Sequence, residues 1–122
     1  MTEKVAVKSG IDEIQFGYAG GFSGQVYTYV LKANGNLFQQ GKGIEIYKKV
    51  DYKTTLAIFL DAREISTISL SEPDNVYSFV EIKMQKASTR IVWSLGSTKV
   101  SEDVLQLYKK LISLTKDTPS HE

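Results

Sequence analysis

The chain of 122 residues has no cysteine and only one histidine. The lack of cysteine excludes disulfides, a thiolate nucleophile and cysteine-based zinc sites, and it is compatible with a reducing compartment such as the cytoplasm. The histidine, His121, is the penultimate residue of a terminal stretch, residues 117–122, that we expect to be frayed. Such a side chain is a poor general base, because proton transfer requires a fixed position. The sequence therefore favours a protein that is not an enzyme and has no cofactor or metal.

Charge of one sign and long apolar runs are also missing. Fifteen basic and fourteen acidic residues give a net charge of +1, which provides no bulk attraction to nucleic acid or to an anionic membrane. The longest apolar run, residues 56–60, is far shorter than the roughly 20 residues that span a bilayer, and the first residues lack the apolar core of a secretory signal. We expect one soluble, cytoplasmic domain over residues 1–122, in which residues 1–10 are a loose lead-in.

The first half of the chain carries three strand patterns. Residues 14–18 alternate between apolar and polar side chains, and residues 25–32 are rich in β-branched and aromatic types. The dipeptide Asn34-Gly35 then predicts a tight two-residue turn of type I′. A third strand over residues 36–47 would carry a bulge or a break at its central glycines.

Two further strands are predicted in the second half, after a loop that contains Pro73. The fourth strand has an apolar face of Val76, Val80, Ile82 and Met84. The fifth has a face of Ile91, Trp93 and Leu95. We expect Trp93 to point inward against the last helix.

Two helices are predicted to cover the sheet. Asp51 is a candidate N-cap for the first, although residues 54–60 would also suit a buried strand. Its apolar face would consist of Tyr52, Leu56, Phe59 and Leu60. The second helix would begin after Ser101 with a stripe of Val104, Leu105, Tyr108, Leu111, Ile112 and Thr115. The predicted class is α+β: an antiparallel sheet of about five strands, in the order β-β-β-α-β-β-α, covered by two helices.

The clearest candidate site is the segment Gly20-Gly21-Phe22-Ser23-Gly24. Three glycines in five positions allow positive φ angles and close backbone approach, and they surround one aromatic side chain. The segment is then either an exposed loop that presents Phe22 to a protein partner, or a sharp hairpin that folds Phe22 back onto the core. The residues alone leave both interpretations open.

The stretch from Ile14 to Gly24 resembles the strand and GGFxG opening of emfourin-like proteins. These are small bacterial domains whose described members inhibit thermolysin-like metallopeptidases. The similarity continues at Asn34-Gly35, at residues 73–77 and in the terminal helix over residues 104–112. The resemblance implies a non-catalytic inhibitor with a loop at Gly20, Gly21, Phe22 and Gly24, and it identifies no inhibitory contacts.

Two other functions are compatible with the sequence. A structural or assembly module would associate with itself through an exposed strand edge or an aromatic face. A binder of single-stranded nucleic acid would use tyrosines and lysines as a stacking platform, which the near-neutral charge makes the weakest of the three hypotheses. Its candidate residues are Tyr27, Tyr29, Tyr47, Lys32, Lys48, Lys49 and Lys53.

Overall fold

The computed structural model describes residues 2–20, 25–40, 46–72 and 74–116. Within these ranges the chain forms a single α+β domain of three helices and one seven-stranded, mostly antiparallel sheet, which confirms the predicted fold class. The helices are α1 (Thr2–Ser9), α2 (Tyr52–Glu64) and α3 (Glu102–Lys116). The strands are β1 (Ile11–Ala19), β2 (Val26–Lys32), β3 (Asn36–Gln39), β4 (Ile46–Lys49), β5 (Leu70–Ser71), β6 (Tyr77–Met84) and β7 (Ser88–Ser94).

The start of the chain was expected to be loose, and that prediction is wrong, because α1 occupies it. Val5 is buried in the core, and the Ser9 hydroxyl donates a hydrogen bond to its carbonyl. The Arg63 guanidinium of α2 donates to the Lys8 carbonyl at 3.1 Å, near the end of α1. Tertiary contacts therefore stabilise this helix, which its own weakly apolar sequence does not predict.

The sheet has the order β4-β3-β2-β1-β6-β7-β5. The central strand β1 pairs antiparallel with β2 on one side and with β6 on the other. Two strands were missed by the prediction of about five. The stretch predicted as one broken strand contains two antiparallel strands, β3 and β4, and β5 adds a short parallel partner to β7. The glycines predicted to break the third strand, in residues 41–45, lie outside the described residues.

A hairpin joins β2 to β3 at the predicted dipeptide, but the type I′ turn is wrong. Gly35 has a φ of +91°, whereas Asn34 does not have positive φ, as type I′ would require. The Gly35 amide donates to the Lys32 carbonyl at 2.9 Å, and the Asn36 amide donates to the Asn34 side chain. A four-residue turn whose last residue is a positive-φ glycine is the pattern of a three-residue hairpin loop.

The first predicted helix is confirmed, but its buried face is rotated around the helix axis relative to the predicted one. Asp51 caps α2 by accepting from the Thr54 amide at 3.0 Å. Tyr52 and Leu60, which were expected on the buried face, are both exposed. The buried residues of α2 are Thr55, Ile58, Phe59 and Ala62. Thr55 joins that face because its hydroxyl donates back to the Asp51 carbonyl, so its polar atom is satisfied.

The core lies between the helices and one face of the sheet. Trp93 is 5% exposed and packs against α3, as predicted, whereas Leu95 is 81% exposed and the prediction for it is wrong. Helix α3 begins after Ser101, whose hydroxyl accepts from the Val104 amide at 3.4 Å. Its fully buried residues are Val104, Leu107 and Leu111. No helix in the described ranges has the length and apolar character that crossing a membrane would take.

Candidate protein-binding surface

Of the predicted glycine segment, only Gly20 belongs to the described part of the chain; Gly21, Phe22, Ser23 and Gly24 lie outside it. Gly20 has a φ of +134°, where side chains are strained. A Cβ atom there would also overlap the Asn75 carbonyl oxygen and reach within 2.6 Å of the Val76 Cα. Position 20 therefore requires glycine for two reasons, its backbone angle and its contact with the two residues just before β6.

Strand registers bring four chain segments together at this end of the sheet. Ala19, the last residue of β1, is paired with Val26 of β2 and with Tyr77 of β6, and Tyr77 is paired with Ser94 of β7. The Gly20 amide donates to the Gln25 carbonyl at 3.4 Å. We call residues 18–20, 25–27, 75–77 and 94–96 the loop end of the sheet.

Exposed apolar side chains are concentrated at the loop end. Eight large hydrophobic side chains are exposed among the described residues, and five of them are here. These five are Tyr18, Val26, Tyr27, Val76 and Leu95. Clustered apolar exposure of this kind marks interaction surfaces, whereas single exposed apolar residues are ordinary.

The loop end is also free of formal charge. Its twelve positions contain no Asp, Glu, Lys or Arg, although such residues make up 24% of the chain. The centres of protein–protein interfaces are likewise poor in charge and rich in aromatic residues. The composition of this surface therefore suits a protein partner better than a polyanion.

Two tyrosines form the aromatic part of the surface. Tyr18 and Tyr27 are cross-strand partners, with ring centroids 5.2 Å apart and ring planes tilted by 34°. The Tyr27 hydroxyl donates to the Gln25 side chain at 2.6 Å. Both rings are thus held by neighbours while remaining about 40% exposed, and a side chain that is already ordered loses less entropy on binding.

Tyr108 of α3 lies beneath this aromatic pair. Its hydroxyl donates to the Gly17 carbonyl at 3.0 Å, and its ring meets the Trp93 ring edge-on at 5.1 Å. Burial raises the pKa of the Tyr108 hydroxyl above 10, the nearby Tyr18 adds to that increase, and a hydrogen bond with Ser78 opposes it. The hydroxyl is therefore neutral near pH 7 and available as a donor.

Among the described residues, the stacking platform predicted for nucleic acid lacks one of its tyrosines and has two of its lysines engaged elsewhere. Tyr29 is buried and stacks on Phe16, with ring centroids 5.5 Å apart. Lys32 forms an ion pair with Glu13 at 2.6 Å, and the Lys48 ammonium donates to a carbonyl of α3. Lys49 and Lys53 are exposed, and the side chain of Tyr47 is outside the described part.

In the described ranges no three His, Cys, Asp or Glu residues are placed to hold a metal ion. Three acidic side chains and one lysine line a groove of about 270 Å³ between α2 and α3; they are Asp61, Glu64, Asp103 and Lys110. There the Lys110 ammonium pairs with Asp61 at 2.7 Å. The groove therefore contains an ordinary ion pair between two helices, and its other acidic side chains are exposed to solvent.

No family model matches this chain, and no curated protein matches it. The resemblance to emfourin-like proteins thus stays a prediction from the sequence. Of the predicted glycines, only Gly20 can be placed, at the loop end, whereas Val76 and Leu95 were expected on buried strand faces and are exposed. The absence of charge around these positions was the signal that could have identified the surface.

Proposed function

We propose that this protein is a non-catalytic protein-binding domain and that the loop end is its contact surface. The observation that carries the proposal concerns the described residues: five of their eight exposed large hydrophobic side chains lie at one uncharged end of the sheet. Burying such side chains against a partner removes apolar area from water, which is the main driving force of protein association.

The form of the surface supports a rigid mode of binding. Tyr18 and Tyr27 are carried by paired strands, and Gly20 is fixed against Val76. The ends of the connection between β1 and β2 are joined by the bond from Gly20 to Gln25. A surface that is ordered before binding limits the entropy lost in the complex, which suits an inhibitor.

The partner that we propose is a thermolysin-like metallopeptidase, on the strength of the sequence resemblance. Phe22 remains the predicted anchor of this interaction. We place the interaction in the cytoplasm, because a chain without cysteine has no need of an oxidising compartment. The domain has the role of an inhibitor here and supplies no catalytic residue.

Titration of thermolysin with the purified protein tests the proposal. The wild type should inhibit peptide hydrolysis, and Tyr27→Ala should weaken inhibition about 30-fold, since aromatic anchors contribute about 2 kcal/mol or more. Leu95→Lys should weaken it too, because a desolvated lysine is costly. Phe22→Ala should do the same while leaving the melting temperature nearly unchanged.

Val7→Lys is the matched control for Leu95→Lys. Val7 is 78% exposed and belongs to α1, whose end precedes the first residue of β1. The first residue of β1 is separated from the loop end by the length of that strand, roughly 25–30 Å at about 3.4 Å per residue. An equal loss of inhibition in both variants would contradict the surface. If the wild type leaves thermolysin active, a thermolysin-like peptidase is rejected as the partner. Concentration-dependent self-association that Leu95→Lys abolishes would instead favour the assembly module.

A further inference from the structure

One side chain connects the helical layer to the residues that carry the aromatic pair. The Tyr108 hydroxyl donates to the Gly17 carbonyl at 3.0 Å. That carbonyl belongs to the peptide unit that joins Gly17 to Tyr18. We propose that Tyr108 is a positioning residue, whose hydrogen bond to Gly17 holds Tyr18 and Tyr27 in the orientation that the partner contacts. The expected effect on partner binding rests on the proposed function, whereas the expected effect on the order of the tyrosine pair does not.

At Gly17 the backbones of the first two strands approach each other closely. A Cβ atom there would overlap the Tyr27 carbonyl oxygen and would lie 3.1 Å from the Phe79 ring. The backbone of β1 at Gly17 therefore touches the backbone that carries the Tyr27 ring, and Tyr18 follows Gly17 directly. One hydrogen bond at Gly17 thus acts on both rings of the pair.

Tyr108 is itself fixed by a row of residues across the sheet. Strand pairing aligns Tyr27, Tyr18, Ser78 and Trp93 in that order. Tyr108 lies over this row, because its ring contacts the Trp93 ring and its hydroxyl donates to the carbonyl of Gly17, the neighbour of Tyr18. The donor is therefore held between β1 and β7, two of the strands that form the loop end.

Removal of the hydroxyl should act locally. In Tyr108→Phe the ring can keep its edge-on contact with Trp93, while the Gly17 carbonyl loses this donor. The peptide unit before Tyr18 then gains freedom, and binding has to restrict it again. A neutral hydrogen bond corresponds to a roughly 2- to 10-fold change in an equilibrium constant, which is the loss of inhibition expected from Tyr108→Phe.

Amide hydrogen exchange of the free protein tests the positioning role without any partner. Exchange at residues 17–19 and 26–27 should accelerate in Tyr108→Phe, while the amides of α2 and the emission wavelength of Trp93 stay as in the wild type. Tyr52→Phe, which removes an exposed hydroxyl at the start of α2, is the control and should change neither region.

Each outcome decides the inference. Unchanged exchange at residues 17–19, or an equal acceleration throughout the sheet and helices, would overturn it, since the hydroxyl would then have no role or only a global structural one. Local acceleration with a 2- to 10-fold weaker inhibition of thermolysin would support it. If the wild type does not inhibit thermolysin, the proposed function fails, and the exchange pattern alone still decides whether Tyr108 positions the pair.

Discussion

The ring of Trp93 meets the ring of Tyr108 edge-on, with centroids 5.1 Å apart and an angle of 85° between their planes. This pair joins β7 to α3 at the base of the proposed binding surface. Edge-to-face contacts of this kind add about 0.5–1.5 kcal/mol to the free energy gained from burial. The pair therefore belongs both to the core and to the support of the loop end.

Trp93→Ala is expected to destabilise the protein severely. Truncation of a buried tryptophan costs about 3–5 kcal/mol, a large share of the stability of a small domain. Leu95→Ala, two residues further along, is the control: its side chain is exposed, so a change of only about 0.5 kcal/mol is expected. Urea denaturation of both variants measures the difference, and similar midpoints would contradict the assigned orientation of β7.

Gly35→Ala tests the hairpin between β2 and β3. Gly35 has positive φ, and an added Cβ would overlap the Val50 carbonyl oxygen. Gly96 also has positive φ, at +82°, but open space surrounds the position of its Cβ. Both alanine variants bear backbone strain of about 1–2 kcal/mol, and Gly35→Ala should lose a further 1–3 kcal/mol, roughly, from overpacking. Equal unfolding free energies for the two would be evidence against the close approach to Val50.

Alkaline pH should reveal the buried tyrosine. Because the folded-state pKa of Tyr108 is raised above 10, its contribution to stability is complete below pH 10 and is lost as the pH rises through the folded value. Tyr108→Phe lacks this contribution at every pH. The difference in unfolding free energy between wild type and variant should therefore shrink above pH 10 in urea titrations. A difference that stays constant up to pH 11 would contradict the assigned environment.

Acid should reveal the cluster around Glu13. Burial acts to raise the pKa of its carboxyl group, but hydrogen bonds from Lys32 and Gln15 and the charges of Lys32 and Lys83 outweigh burial, so the pKa is lowered below 4.5. The stabilisation is present above pH 4.5 and is lost as the pH falls through the folded value. The difference in melting temperature between wild type and Glu13→Gln should decrease from pH 7 to pH 3. An unchanged difference would count against the cluster.

Sequence periodicity predicted which side of a strand faces the core, but it could not predict where the strand pairing ends. Val76 and Leu95 lie on the same sides as Val80 and Trp93, respectively, and were therefore expected to be buried. They come just beyond the last pair of the β6–β7 ladder, Tyr77 with Ser94. Their exposure shows that the layer of helices does not extend over them.

Elements that are stabilised by contacts between distant parts of the chain could not be predicted from the sequence either. Helix α1 depends on Val5 in the core and on the bond from Arg63 to Lys8, which is 55 residues away in the chain. Local patterns carry no information about such a contact. In contrast, the N-cap Asp51 acts on Thr54, three residues away, and was predicted correctly.

Gly20→Ala tests whether the backbone at the loop end matters for binding. The variant needs an unfavourable φ, and its Cβ would press on Asn75 and Val76, just before β6. Gly10→Ala is the control, because Gly10 also has positive φ, at +76°, with open space around it. Both variants should lose about 1–2 kcal/mol of stability through strain, and Gly20→Ala should lose roughly a further 1–3 kcal/mol because its Cβ overlaps Asn75 and Val76.

Only Gly20→Ala should weaken the inhibition of thermolysin, since it alone displaces residues of the loop end, and a loss of about tenfold or more corresponds to roughly 1.4 kcal/mol. The two inhibition constants should be measured well below both melting temperatures, so that unfolding does not contribute. Equal inhibition by Gly10→Ala and Gly20→Ala would mean that the partner does not contact this end of the sheet. A selective loss would assign the interaction to the surface formed by Gly20, Val76 and the tyrosine pair.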